Sequence, residues 1–525
     1  MSPDSPINPI IPGFAPDPSL ILVDDTYFLV NSTFHLFPGL PIYTSRDLVH
    51  WHQIGNAINR PSQLSFSKAS TLIHDIGNND HLYATGGLYA PTLRHHNGTF
   101  YIVCTNVVNH SPDSAQESET KNFIISTTDI YASAWSDPVY FDFHGIDPSL
   151  FFDPHTGKAY LCGSKSPGPS TKITLFEIDV TTGEKLTEEK YLWHGTGGIY
   201  PEGPHIYFHN GFYYLMIAEG GTHEGHAVTM ARSNNLLDGP WDPSPLNPIL
   251  TAANTDEYVQ CTGHCEAFAA KDGQWWGVCL GIRMREKQFY GLGRETFLTR
   301  GSWSADGWLK FERATMQLSI PSVSVGAEKK KLSAVPGVDY VYIHDPVLRD
   351  YDFDPTGRNV VVRASPHDLT APHASPSFLG KRQRWIEGKS RATLVVSSSV
   401  HEDARVTAGL AVFKDEHRFF SVSYSPTQSP PKLVLHILNT AKKIDQNHTF
   451  DLPIRPESLE FIVEYTEMQY EISYRLDAVG ESNKVASVDA KDLSGKDFVG
   501  PIFGVFAIGH QKTEVKFEWF EVDSA

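Results

Sequence analysis

The first three hundred residues alternate short apolar runs with turns rich in Asp, Asn and Gly, and the same unit recurs. Asp17-Pro-Ser-Leu-Ile-Leu-Val is followed by Asp24-Asp25 and then Tyr27-Phe-Leu-Val. Ala90-Pro-Thr-Leu-Arg, His96-Asn-Gly and Phe100-Tyr-Ile-Val repeat it, as do Asp147-Pro-Ser-Leu-Phe-Phe with Ala159-Tyr-Leu and Glu202-Gly-Pro-His-Ile-Tyr with Phe212-Tyr-Tyr-Leu. The fifth unit runs from His264-Cys-Glu-Ala-Phe to Gln274-Trp-Trp-Gly-Val. A short strand, a polar turn and a second, aromatic strand make a hairpin signal. Further strands follow within the units, such as Ile42–Trp51, Phe123–Ile130 and Ala227–Ser233. Five units of three or four strands, spaced by roughly 55–75 residues, predict an all-β chain opening with a five-bladed β-propeller over residues 1–315. Residues 316–338 lose the pattern and read as a linker with a solvated Glu328-Lys-Lys-Lys turn. Alternating strands resume over residues 339–525, for example Leu433-Val-Leu-His-Ile-Leu, and predict a β-sandwich.

The propeller pattern has a functional consequence. The first strand of each blade faces the central axis, so the residues opening the units, Asp17, Ala90, Asp147, Glu202 and His264, converge on one cavity. Three of the five are acids, and like charges held together raise each other's pKa, which a purely structural role would not favour.

Composition narrows the partners. With 43 basic and 61 acidic residues the net charge is −18. That argues against a nucleic-acid binder, which would need a basic face, and disfavours an anionic membrane surface. An uncharged oligosaccharide or polysaccharide suits it. The 12% aromatic content fits both β packing and sugar stacking. Five cysteines are too few and too scattered for a disulfide framework. Cys261 and Cys265 flank His264, but no second ligand pair at zinc spacing accompanies them. The N-terminus lacks a basic and apolar leader pattern, and no apolar run approaches ~20 residues, so the sequence as written reads as cytoplasmic. Four glycosylation sequons are near chance for this length.

Hydrolysis of a glycosidic bond needs a proton donor for the leaving oxygen and a second carboxylate. An inverting enzyme spaces the pair about 6.5–9.5 Å to admit water, and a retaining one about 5–5.5 Å. Glu202, between two prolines and beside Tyr200, is placed to be the acid. Asp17 is the candidate base, and Asp147 a third charge that keeps Glu202 protonated. The spacing that decides between inversion and retention is not in the sequence.

Asn8–Ser19, Phe37–Trp51, Gly145-Ile-Asp-Pro-Ser-Leu, Tyr200-Pro-Glu-Gly-Pro-His, Gly263-His264 and Leu292-Gly-Arg-Glu-Thr-Phe297 together resemble glycoside hydrolase family 43. Asp354-Pro-Thr-Gly, Leu369-Thr-Ala-Pro and Ser375–Gln383 resemble the concanavalin-like β-sandwich appended in its β-xylosidase branch. The resemblance implies an inverting mechanism with Asp17 as general base, Asp147 as pKa modulator and Glu202 as general acid. It implies that Arg294 contacts the terminal sugar, against the plain alternative of an ion pair with Glu295. It places His264 at the axis beside a calcium ion or a water network, and requires no other cofactor. Tyr89 stands where the family usually has Trp, and Ala15-Pro16 precede Asp17 where Asn is common. Tyr89, Phe34 and Phe37 are candidate pocket walls, and Phe378 a candidate from the sandwich to narrow the mouth. The expected activity is exo-acting release of terminal pentoses, from β-1,4-xylo-oligosaccharides first and α-L-arabinofuranosides second. A retaining fructan hydrolase and a non-catalytic sugar-binding propeller are the rivals. No sequence feature fixes the oligomeric state.

Overall fold

The computed structural model describes residues 7–110, 118–320, 332–397, 400, 405–426, 430–477 and 480–524. Residues 321–331 of the expected linker, and residues 111–117, lie outside them.

Five sheets follow one another in chain order, each built around an antiparallel meander of four strands, which in the first sheet is interrupted by Leu36–Phe37. Their first strands are Ser19–Val23, Gly87–His96, Gly145–Phe152, Glu202–His209 and Val259–Ala269. Each first strand contacts the first strand of the next sheet, and the fifth contacts the first, so the sheets close into a ring. The chain start is stapled to the closing sheet. The Asn8 amide donates to Leu298 O at 2.8 Å and accepts from Leu298 N at 2.9 Å. Aromatic second strands, such as Phe212–Glu219, fill the space between sheets, because period-two alternation sends every other ring to a neighbour. Within the expected linker, Ser333–Ala334 adds to the first sheet as a parallel edge strand beside His52–Ile58.

The C-terminal part is a sandwich of a seven-stranded and a six-stranded sheet. Strand Lys432–Asn439 alternates strictly between buried and half-buried positions, as a strand on one face of such a sandwich must. The inner faces meet through Leu394, Phe461, Val412, Phe420, Phe503 and Val505.

A three-stranded sheet joins the two halves. The hairpin Thr71–Gly77 and Asp80–Thr85, between the first and second ring sheets, pairs in parallel with Lys496–Asp497 of the sandwich. Behind it lies a buried charge cluster. Arg418 pairs with both Asp415 and Asp497, and Lys414 reaches Asp497 at 2.5 Å. The Arg418 guanidinium also stacks 3.7 Å from the Tyr83 ring centroid, and Thr71 N donates to Glu416 at 2.6 Å. Burial of so many charges is tolerated because each finds a partner.

Candidate active site

The inner strands are irregular where they meet the cavity. Register shifts fall between Tyr89 and Thr92, Ile146 and Ser149, Glu202 and His205, and at Gly263. Asp17, Phe34, Asp147, Tyr200 and His264 all take left-handed backbone angles, with φ from 46° to 54°. Bulges of this kind re-aim side chains, and non-glycine residues at such angles store strain that the surrounding fold holds in place. Here they turn the unit-opening residues into one cavity of about 420 Å³, lined by Asp17, Asp147, Glu202, His264, Arg294, Tyr89, Ala90 and Phe34 among others. The expected convergence of the five opening residues is therefore what the chain does.

Asp17 is oriented by two donors. Ser32 Oγ donates to Oδ2 at 2.6 Å and Arg294 Nη1 to Oδ1 at 3.1 Å. Arg294 also donates to Thr222 Oγ1 at 3.2 Å and, through Nη2, to the Phe498 carbonyl at 3.1 Å. Its guanidinium lies beside both the Phe34 and the Phe498 rings, 5.2 and 5.1 Å from their centroids. The expected alternative partner, Glu295, is taken by Arg283 at 2.7 Å.

Asp147 Oδ2 accepts the Gly203 N–H at 2.9 Å. Gly203 has φ 56°, and a Cβ there would lie 2.9 Å from the His264 ring, so only glycine fits between the acid and the histidine. Burial pushes the Asp147 carboxyl up, as does Asp17, against the lowering influence of His264. Burial pushes Glu202 well above the usual carboxylate range, and the negative charges of Asp147 and then Asp17 add to it, while Arg294 opposes. Among the described residues no side chain or backbone group hydrogen-bonds the Glu202 carboxyl. A carboxyl whose pKa is raised, near a second acid oriented by donors, is an arrangement with which acid–base chemistry can be done.

Phe34 and Tyr89 both line the cavity, their rings 4.8 Å apart, and the Tyr89 hydroxyl donates to Thr85 O at 2.8 Å. Tyr89 thus presents ring, not hydroxyl. Phe37 does not reach the cavity. It is buried on Leu36–Phe37, paired with Tyr342–Ile343. Phe378 is also misplaced by the sequence reading. It is fully buried against Phe413 on the outer face of the six-stranded sheet, in a cluster with Phe14, Phe34 and Leu36 of the N-terminal half, where Gly380 and Gly504 leave room for its ring. The aromatic that the sandwich brings to the cavity is Phe498, 5.7 Å from Phe34 and 5.9 Å from Tyr89. Thr222, Ser32 and Lys496 were likewise not singled out from sequence. Gly220 and Gly500, which allow close backbone approach, are the marks in the sequence near Thr222 and Lys496.

Of the two neighbours the resemblance offers His264, a calcium ion or a water network, the residues present do not fit the calcium ion. Calcium takes six to eight oxygen ligands. The axial carboxylate Glu266 already accepts from Arg94 Nη1 at 2.5 Å, Ser19 Oγ at 2.5 Å and Leu20 N at 3.1 Å. Arg94 supplies the positive charge there. His205 and His226 are held uncharged by burial, His226 with its pKa pushed down to about 3. Among the described residues no three His, Cys, Asp or Glu side chains gather as metal ligands. Cys261 and Cys265 are buried thiols whose pKa burial raises, not metal ligands.

Comparison with known proteins agrees with this chemistry. The profile of glycosyl hydrolases family 43 matches residues 6–309, and that of the beta xylosidase C-terminal concanavalin A-like domain matches 335–523. A non-reducing end alpha-L-arabinofuranosidase of Bacteroides ovatus is 32% identical, over 98% of this chain and 94% of that protein. A xylosidase/arabinosidase of Butyrivibrio fibrisolvens is 31% identical over 96% of each. The solved structure of a xylan beta-1,4-xylosidase from Bacillus halodurans superposes with a TM-score of 0.81 at 25% identity, covering 98% of this chain and 99% of that one. The chain is a glycoside hydrolase of family 43, whose relatives are xylosidases and arabinofuranosidases, with a concanavalin A-like domain at its C-terminal end.

Proposed function

We propose that this enzyme is an exo-acting, inverting glycosidase that removes single pentoses from chain ends, with β-1,4-xylo-oligosaccharides as its first substrate. The ring of sheets is read as a five-bladed propeller spanning residues 1–315, joined through 316–338 to the sandwich of 339–525. The observation that carries the reading is the asymmetry of the carboxyl groups. Glu202 is pushed well up by burial and by Asp147, while Asp17 is fixed by Arg294 and Ser32.

The mechanism follows from that asymmetry. The terminal pentose lies against Phe34 and Tyr89, with apolar ring faces opposed to its C–H groups. Arg294 holds Asp17 and donates to sugar hydroxyls. Asp17 takes a proton from a water that attacks the anomeric carbon, and Glu202 gives its proton to the departing oxygen. Asp147 raises the affinity of Glu202 for that proton. His264 acts on Asp147 by charge, lowering its pKa against burial, while the Gly203 N–H orients it.

The role of Asp147 has a signed consequence. The general acid works only when protonated, so activity falls as pH rises through the raised pKa of Glu202. Asp147→Asn removes a negative neighbour and should move the basic limb of the kcat/KM profile to lower pH by about one unit or more. An unmoved limb would show that Asp147 does not tune Glu202.

The name of the Bacteroides ovatus relative supports a second reading, α-L-arabinofuranoside as the preferred substrate. A panel of aryl β-xyloside, aryl α-L-arabinofuranoside and decorated arabinoxylan tests both. The expected order is xyloside first and arabinofuranoside second, with only single pentoses released. Internal cleavage of the polymer, or no turnover of either aryl pentoside, would overturn the proposal.

A further inference from the structure

The cavity grades from buried to open. Asp17 and Arg294 are each 4% exposed, whereas Tyr200, Ile76 and Ile199 are 36, 46 and 52% exposed yet line the same space. A pentose with its anomeric carbon at Glu202 must therefore direct its leaving group toward these three residues. One cation stands among them. Lys496 lines the cavity, with its side chain 19% exposed, and bridges Asp80 at 3.1 Å and Glu224 at 3.0 Å. An ammonium carries three N–H donors, and these two pairs use two of them.

We propose that Lys496, from the sandwich, is a specificity-determining residue of the leaving-sugar subsite, its third N–H donating to a hydroxyl of the departing sugar. This rests on the exo-glycosidase reading above. Three observations converge on it. Lys496 is held still, since its neighbour Asp497 is fixed by Lys414 and Arg418 and its strand is hydrogen-bonded beside Asp80–Thr85. Its two carboxylate partners come from different elements, the hairpin and the loop after Phe212–Glu219, so it closes the rim on both sides. Ile76, Ile199 and Tyr200 line the same cavity, which gives it the mixture of apolar surface and polar donor that a sugar requires. The pairing with Asp80 and Glu224 also raises the ammonium pKa, so the donor keeps its charge across the working range of the carboxyl groups.

The test compares xylobiose with para-nitrophenyl β-xyloside, which offers no sugar hydroxyl on the leaving side. Lys496→Met should lower the ratio of kcat/KM for xylobiose to that for the aryl xyloside about tenfold or more, the range for a hydrogen bond from a charged donor. Asp80→Asn loosens the rim but leaves the ammonium, and should keep the ratio within about twofold of the unaltered enzyme. A general loss of folding lowers both substrates together and leaves the ratio unmoved. An unmoved ratio in Lys496→Met, or an equal fall in Asp80→Asn, would overturn the proposal and reduce Lys496 to a clamp. If the unaltered enzyme turns over neither substrate, it is the function itself that fails.

Discussion

Glu202→Gln is expected to lower kcat on xylobiose about 10²–10⁴-fold, the usual contribution of a positioned general acid. The amide is nearly isosteric, and no described residue hydrogen-bonds the Glu202 carboxyl, so the fold loses nothing that a melting curve would detect. The loss is specific to the leaving group. Xylose departs only with a proton, whereas a dinitrophenolate departs without one. The same variant should therefore retain far more of its rate on dinitrophenyl β-xyloside than on xylobiose. Equal losses on the two substrates would remove Glu202 from the acid role. The physical basis is its raised pKa, whose first cause is burial and whose second is Asp147.

Asp17→Asn should cost a comparable factor, about 10²–10⁴, with the opposite dependence. A base that activates water acts on the attacking side, so the loss should be similar for xylobiose and for dinitrophenyl xyloside. The amide oxygen still accepts from Arg294, and the Ser32 hydroxyl can turn to accept from the new amide N–H, so KM should move much less than kcat. A variant that keeps its rate on both substrates would show that Asp17 only anchors Arg294.

The acids were legible in the sequence because the repeat places them. Asp17, Asp147 and Glu202 each open a hairpin unit, and a ring of sheets turns the opening of every unit inward. The bulges that aim them were not legible, since a register shift leaves no mark in a short apolar run. The contribution of the sandwich was also hidden. Phe498 and Lys496 belong to a segment whose two-residue strand pairs in parallel with a hairpin more than 400 residues earlier in the chain. Local pattern carries no information at that separation, and Phe378, the more prominent aromatic in a recognisable motif, proved to be core. Lys414-Asp-Glu-His-Arg418 is a run of polar residues, yet Asp415 and Arg418 are fully buried. Their burial is explained only by Asp497 and Tyr83, which the sequence places far away.

The central claim is a single displacement at the anomeric carbon by water under Asp17, with Glu202 as the acid. Proton NMR of the first product formed from an aryl β-xyloside, read before mutarotation, tests it most directly. The account predicts α-xylose as the initial signal, with β-xylose growing in afterwards. Initial β-xylose would mean retention through a covalent intermediate and would contradict the assignment of Asp17 as base.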